Sequence, residues 1–331
     1  MNAPTREEFL ARRRTGIGGS DISAILGLNP YKSSYSLWLD KTGRSVDEPD
    51  ADAAERMYWG STLEDVVAGH YAKSRGVRIQ RINTQLRHAD CPIAVANIDR
   101  AIVADGSRAR WDEREHRVAG ATGLLEVKTA HALAARGAQW GEPGTDEVPQ
   151  SYWLQCQWYL GISGLGSAEI AVLFGGQRFV VYTIAADRMI FGDLVESARE
   201  WWQRHVEADT PPDPTTEDDA RRMWRSHVAG RDRIVDRDVL DDVQELVEVK
   251  ARIADLESRA QELRDRILPA FQDAESISYQ GRRLATWKAN KPSAKTDWKA
   301  VAIACGAGQD CIAQHTTTTE GARVLRLNTK E

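Results

Sequence analysis

The stretch EADTPPDPTTEDD, residues 207–219, divides the chain, because it offers nothing to bury and its prolines break helix and sheet alike. A single core cannot run through it, so each side must close on its own. On the N-terminal side, apolar spacing predicts helices near 20–26 and 34–42 and a longer one over 52–75 ended by Gly76. The runs VRIQRINTQLRH, IAVANIDRAIVA and GLLEVKTA then read as strands. A helix at 149–161, the strands AEIAVLFGG and RFVVYTIAA, and a helix over 187–208 follow. Strands and helices in this order predict a mixed α/β domain.

Beyond the divide the pattern changes. Leu246, Val249, Ile253, Leu256, Ala260, Leu263 and Ile267 recur at spacings of three and four, a narrow a/d seam that packs on another helix, in its own chain or in a neighbour. After Pro269, SISYQGRRLATWK predicts a hairpin about Gln280 and Gly281, and ARVLRLN a last strand. The expected organisation is a domain over 1–208, a linker over 209–238, and a heptad helix with a small β-rich tail over 239–331.

Composition narrows the function classes. With 331 residues, 42% of them hydrophobic, the chain can bury a substantial core. The start MNAPTREEFLARRR lacks the apolar centre of a signal peptide, and no run of about 18 apolar residues is present to span a bilayer. A cytoplasmic protein without membrane association is expected. Cys91, Cys156, Cys305 and Cys311 form no CxxC pair and the seven histidines show no zinc spacing, so buried free thiols are expected rather than disulfides or zinc. A net charge of −5 argues against an overall basic coat but permits a local basic track.

Chemistry concentrates in four places. In RRRTGIGGSDISAILGLNP, residues 12–30, arginines run into a glycine-rich turn and a helix start, whose open N–H groups attract anions. In GLLEVKTA, residues two apart share a strand face, so Glu126 and Lys128 project together while Leu125 and Val127 point into the core. Asp99 ends the apolar run IAVANID. Glu64 shares a helix face with Met57, Gly60, Val67, Ala68 and Tyr71, which predicts a buried carboxylate that must neutralise, pair or ligate a metal. Three acids and a lysine suit Mg²⁺ or Mn²⁺. Tyr152, Gln155 and Tyr159 form one polar-tipped helical stripe.

In this order, RRRTGIGGSDISAILGLNPYKS, WGSTLE, ANID before LEVKT, and YWLQCQWYL resemble the YqaJ-type viral recombinase family, phage nucleases similar to lambda exonuclease within the PD-(D/E)xK superfamily. The four blocks span residues 12–160. The resemblance implies a restriction-endonuclease-like core, a mixed central sheet flanked by helices, and Mg²⁺-dependent DNA hydrolysis in which Mn²⁺ substitutes. Asp99, Glu126 and the Val127 carbonyl are implied as metal ligands, with Glu64 as an outer or second-metal ligand. Lys128 is implied as the catalytic lysine, and Gln155 as the glutamine that positions the attacking water or the lysine. The family's arginine and serine that hold a DNA 5′ phosphate match Arg13 and Ser20, with Arg14 as the alternative register; Tyr152 is grouped with these DNA contacts. The superfamily's proline is absent, since Asp99 follows Ile98.

The implied activity is 5′-to-3′ digestion of linear double-stranded DNA in a bacterial host, leaving 3′ single-stranded tails for a single-strand annealing protein, with a ring or coiled-coil homo-oligomer in view. An endonuclease on the same core and a non-cleaving DNA-binding scaffold are the alternatives. Arg282, Arg283, Lys288, Lys291, Lys295 and Lys299, interleaved with Tyr279, Trp287 and Trp298, make the tail a second candidate for DNA engagement or self-association.

Overall fold

The computed structural model describes residues 11, 13–45, 51–103, 106–137, 139–290 and 297–316. Two compact units meet at the Met223–Trp224 bond.

The first unit holds helices α1 (Gly19–Ile25), α2 (Ser34–Lys41), α3 (Ala51–Arg75), α4 (Gln150–Ser163), α5 (Arg188–Trp201) and α6 (Glu217–Met223). Its main sheet has the order β1 (Arg78–Gln80), β4 (Arg100–Val103), β7 (Ala121–Ala130), β8 (Ser167–Phe174), β9 (Arg178–Ala185). Two short antiparallel pairs accompany it: β2 (Leu86–Arg87) with β3 (Val95–Ala96), and β5 (Arg110–Asp112) with β6 (Arg117–Ala119). The main sheet is mixed, because β7 and β8 run parallel while the other pairs are antiparallel. A parallel pair needs a crossover, and α4 supplies it.

Both sheet faces are covered, which explains why LLEV reads as a nearly continuous apolar run. Leu125 and Val127 pack with Val67, Ala68 and Tyr71 of α3. Leu124, Ile170, Val172 and Tyr182 face the other way, into a cluster with Leu154, Trp158 and Ile162 of α4 and Ile22 of α1. Glu126 and Lys128 therefore emerge on the α4 side, and Glu126 is buried there. The mixed sheet between helices is the restriction-endonuclease-like core that the resemblance implied.

Part of the expected linker belongs to this unit. Asp209 receives two bonds from the Arg44 guanidinium. Asp219 of α6 is buried and accepts from Ser33 Oγ at 2.7 Å. Asp209 and Asp219 thus tie this segment to the first unit, which runs to Met223 rather than 208. The β5–β6 hairpin also escapes the sequence reading, because RWDEREHRVA is charge-rich and carries few β-branched residues.

The second unit contains α7 (Arg237–Ile267), β10 (Ser276–Tyr279), β11 (Arg282–Thr286), α8 (Trp298–Ala304) and α9 (Gln309–Gln314). None of the α7 residues is buried, so the seam from Val249 to Ile267 has no covering helix among the described residues. The β10–β11 turn falls at Gln280 and Gly281, which both take positive φ, as the reversal between two short antiparallel strands requires. Phe271 is buried beside Trp287. The tail is less β-rich than expected, with α8 and α9 in it, while ARVLRLN, Lys291 and Lys295 lie outside the described residues. Among the described residues, no helix is long and apolar enough to cross a membrane.

Candidate active site

The β4–β7 ladder ends at the Arg100–Leu125 pair. One residue further, the Asp99 carboxylate takes over from a strand partner: its Oδ2 accepts the Val127 N–H at 2.9 Å. That bond fixes Asp99 beside Glu126. Burial, and then the nearby Glu126 charge, push Asp99 up to about 8.

Glu126 is 3% exposed, and its Oε1 accepts from Lys128 Nζ at 2.6 Å and from Gln155 Nε2 at 2.7 Å. Its Oε2 is buried without a hydrogen-bond partner. Lys128 Nζ also donates to Gln155 Oε1 at 3.1 Å and lies 4.7 Å over the Tyr152 ring. Burial pulls Lys128 down, but Glu126 and Asp99 outweigh it and hold the ammonium above its ordinary value. Lys128 is therefore a cation here, suited to stabilising negative charge. Burial raises the Cys156 thiol and the Tyr159 hydroxyl well above their usual range, so neither is an ionised nucleophile. Cys91 is likewise a buried free thiol, whereas Cys305 and Cys311 are exposed, against expectation.

An orphaned carboxylate oxygen beside an acid held up at about 8 is a site short of positive charge. Two hard oxygen donors in that state fit a divalent cation.

Of the fates expected for Glu64, the structure shows pairing, and the acid is half-buried rather than buried. Its side chain is 29% exposed and Oε1 accepts from Arg100 Nη1 at 2.7 Å, with Arg81 at 3.6 Å. Arg100 is buried and also binds Asp65 and the Asp99 carbonyl. The reason lies in strand alternation: α3 covers the face where Leu125 and Val127 point, while Glu126 points to α4. Among the described residues no group of three ligating side chains forms. Glu64 still adds to the charge that raises Asp99.

A cleft of about 830 Å³ joins the remaining candidates, with Arg13, Ser20, Lys32, Lys128, Tyr152 and Gln155 in its lining. α1 sits directly on α4, because a side chain at Gly19 would meet the Tyr159 ring at 2.5 Å; this close approach sets Ser20 at the cleft. Arg14 is absent from the lining, and its guanidinium lies against Gly43. Of the two neighbouring arginines it is Arg13 that lines this cleft, together with Arg222.

The helix start already carries a carboxylate of its own chain. Asp21 Oδ2 accepts the Gly18 N–H at 3.1 Å, so a carboxylate of the chain caps α1. Asp21 is buried against Lys41 at 2.6 Å, with Arg13 at 3.5 Å and Lys32 at 3.9 Å. Burial pushes Asp21 up, but Lys41, Lys32 and Arg13 together hold it below the ordinary carboxylate range. Lys41 Nζ also donates to the carbonyls of Arg13 at 2.8 Å and Gly16 at 2.6 Å, tying the arginine loop down. Sequence reasoning missed Lys32 and Lys41. Lys41 was legible as a lysine one turn from Leu37 and Trp38, on the buried side of α2.

An acid and a lysine on the central strand of a mixed sheet, opposed by an acid that immediately precedes the neighbouring strand, are the arrangement of the PD-(D/E)xK fold class. Residues 8–166 match the YqaJ-like viral recombinase domain. The uncharacterized protein YqaJ of Bacillus subtilis (strain 168) is 34% identical over 291 residues, covering 86% of this chain and 83% of that protein. The chain belongs to the YqaJ-like viral recombinase family. Among solved structures, an alkaline exonuclease from Laribacter hongkongensis aligns with TM-score 0.43 and 15% identity over 61% of this chain and 93% of that one. A phage-related exonuclease from Haemophilus somnus 129PT aligns with TM-score 0.41 and 12% identity over 61% of this chain and all of that one.

Proposed function

We propose that the chain is a Mg²⁺-dependent nuclease that digests linear double-stranded DNA from 5′ ends and leaves 3′ single-stranded tails. One observation carries this reading: a single cleft joins Arg13 and Ser20 to Lys128 and Gln155, so a strand end held by the first pair reaches the acid–lysine centre. Asp99 and Glu126, with the Val127 carbonyl, would hold the cation and Glu64 would stand behind them. When bound, such a cation supplies Lewis-acid polarisation of the phosphate oxygens. Lys128 keeps its proton and stabilises charge developing on phosphorus, while Gln155 fixes the lysine and Glu126 relative to each other. Tyr152 holds the ammonium from its other side. The tails suit consumption by a single-strand annealing protein. The uncovered seam of α7 suits self-association, which light scattering of the full chain reads.

The decisive assay uses linear and circular duplexes with Mg²⁺, Mn²⁺ or a chelator. Linear DNA should be degraded with either metal, circles should survive, and the chelator should stop the reaction. Nicked or linearised circles would replace this reading with an endonuclease, and binding without cleavage in either metal would leave a scaffold.

Arg13→Ala should slow digestion of 5′-phosphorylated ends by on the order of tenfold to a hundredfold, since a charge-assisted bond contributes roughly 1.5–3 kcal/mol. On 5′-hydroxyl ends the same variant should lose little more. Arg14→Ala should show no phosphate dependence, because its guanidinium lies outside the cleft. Equal losses on both kinds of end would remove the terminal-phosphate role.

A further inference from the structure

A second groove, of about 490 Å³, lies between the segment after β1 and the β5–β6 hairpin. Its walls are clipped together by Gln80, whose Nε2 donates to the Ala109 carbonyl at 2.6 Å and whose Oε1 accepts the Ala109 N–H at 3.1 Å. Three guanidiniums line it, Arg81, Arg108 and Arg110, against one carboxylate, Glu113. Arg108 and Arg110 are exposed, and among the described residues neither has an ion-pair partner. Asp112, at the end of β5, accepts from the backbone N–H groups of Arg114 and Glu115, and its charge also faces that of Arg110. Trp111 adds a half-buried ring, and Asn83 and Thr84 add neutral hydrogen-bonding groups.

The inner end of this groove approaches the acid centre through Arg81. Arg81 bonds to Asp65 at 2.6 Å and stands 3.6 Å from Glu64, and its charge interacts with that of Asp99. The cleft of Arg13 approaches the same centre through Lys128, on the α4 side of β7, whereas Arg81 approaches it through Glu64, on the α3 side. We propose that this groove holds the sugar-phosphate backbone of the DNA strand on the 3′ side of the scissile phosphate, with Arg108 and Arg110 on successive phosphates and Trp111 against a base. The assignment rests on the nuclease reading for its direction. The polyanion itself follows from the charge of the groove: a cationic, aromatic-lined track leading to a phosphodiester-cleaving centre is complementary to one strand of nucleic acid.

The test is binding of the full chain to a 5′-phosphorylated linear duplex in chelator, by fluorescence anisotropy across a salt series. Arg108→Gln with Arg110→Gln should weaken binding on the order of tenfold or more. It should also lower the slope of log K against log salt by about 2, since each lost phosphate contact removes about 0.9. Arg108→Lys with Arg110→Lys keeps both positive charges and should restore the slope, an outcome that a merely structural role would not give. A glutamine variant with wild-type affinity and slope overturns the proposal. If the wild type cleaves linear DNA while the groove variants bind and cleave as it does, the groove alone is wrong. If the wild type binds with the steep slope and the variants lose it, yet no metal supports cleavage, the nuclease reading falls and the groove stands as a DNA track. A wild type that binds no DNA overturns both.

Discussion

Replacing Asp99 or Glu126 by alanine is expected to reduce DNA cleavage by on the order of a thousandfold or more while the chain stays folded. A cation held by these acids contributes several kcal/mol of charge stabilisation in the transition state, and about 4 kcal/mol is a factor of a thousand. Stability should move the other way. Asp99 has a folded-state value of about 8, set by burial and by Glu126, against an ordinary carboxylate value of 3.8. Between those two values the folded chain keeps a proton that the unfolded chain has released, so metal-free stability falls as the pH rises through that window. Asp99→Asn needs no proton and can still accept the Val127 N–H. It should therefore flatten the dependence of the melting midpoint on pH in chelator. Wild-type cleavage by either alanine variant, or a midpoint that falls equally with pH in Asp99→Asn, would count against this account of the centre.

The second large effect is expected at Lys128. Its ammonium binds Glu126 and Gln155 and sits over Tyr152, so Lys128→Ala leaves the acids in place while removing the positive charge bonded to Glu126. Turnover should drop on the order of a hundredfold or more, the usual contribution of a positioned charge or proton-transfer group. Metal binding by calorimetry should persist or tighten, because a competing cation has left Glu126. Loss of metal binding with unchanged turnover per bound metal would make the lysine structural.

Local pattern was enough to read β7 to β9 and the long helices, because each run states its own period: alternation and β-branching for β7 to β9, spacings of three and four for α3 and α7; VRIQRINTQLRH and IAVANIDRAIVA, read as single strands, each break into two. The pairing of Glu126 with Lys128 followed from strand geometry alone. What escaped depended on distant partners. Arg100 meets Glu64 only because β4 lies beside the middle of α3, and nothing near either residue in the chain announces the other. Asp219 reads as a linker acid until Ser33, 186 positions earlier, is seen donating to it. The β5–β6 hairpin carries its ladder on Arg110, Trp111 and Asp112, a segment whose charges suit a groove better than a core.

The buried Lys41–Asp21 pair has a consequence for how specificity at this cleft can change. The lysine grips the carbonyls of Arg13 and Gly16, and the aspartate caps α1, so the arginine's backbone position is set by a residue one helix away. An exchange of Arg13 alone between relatives moves a side chain onto a scaffold it did not evolve with. The natural cassette is the whole of residues 13–41, loop, α1 and α2 together, and chimaeras cut at its ends should carry their preference for strand termini with them.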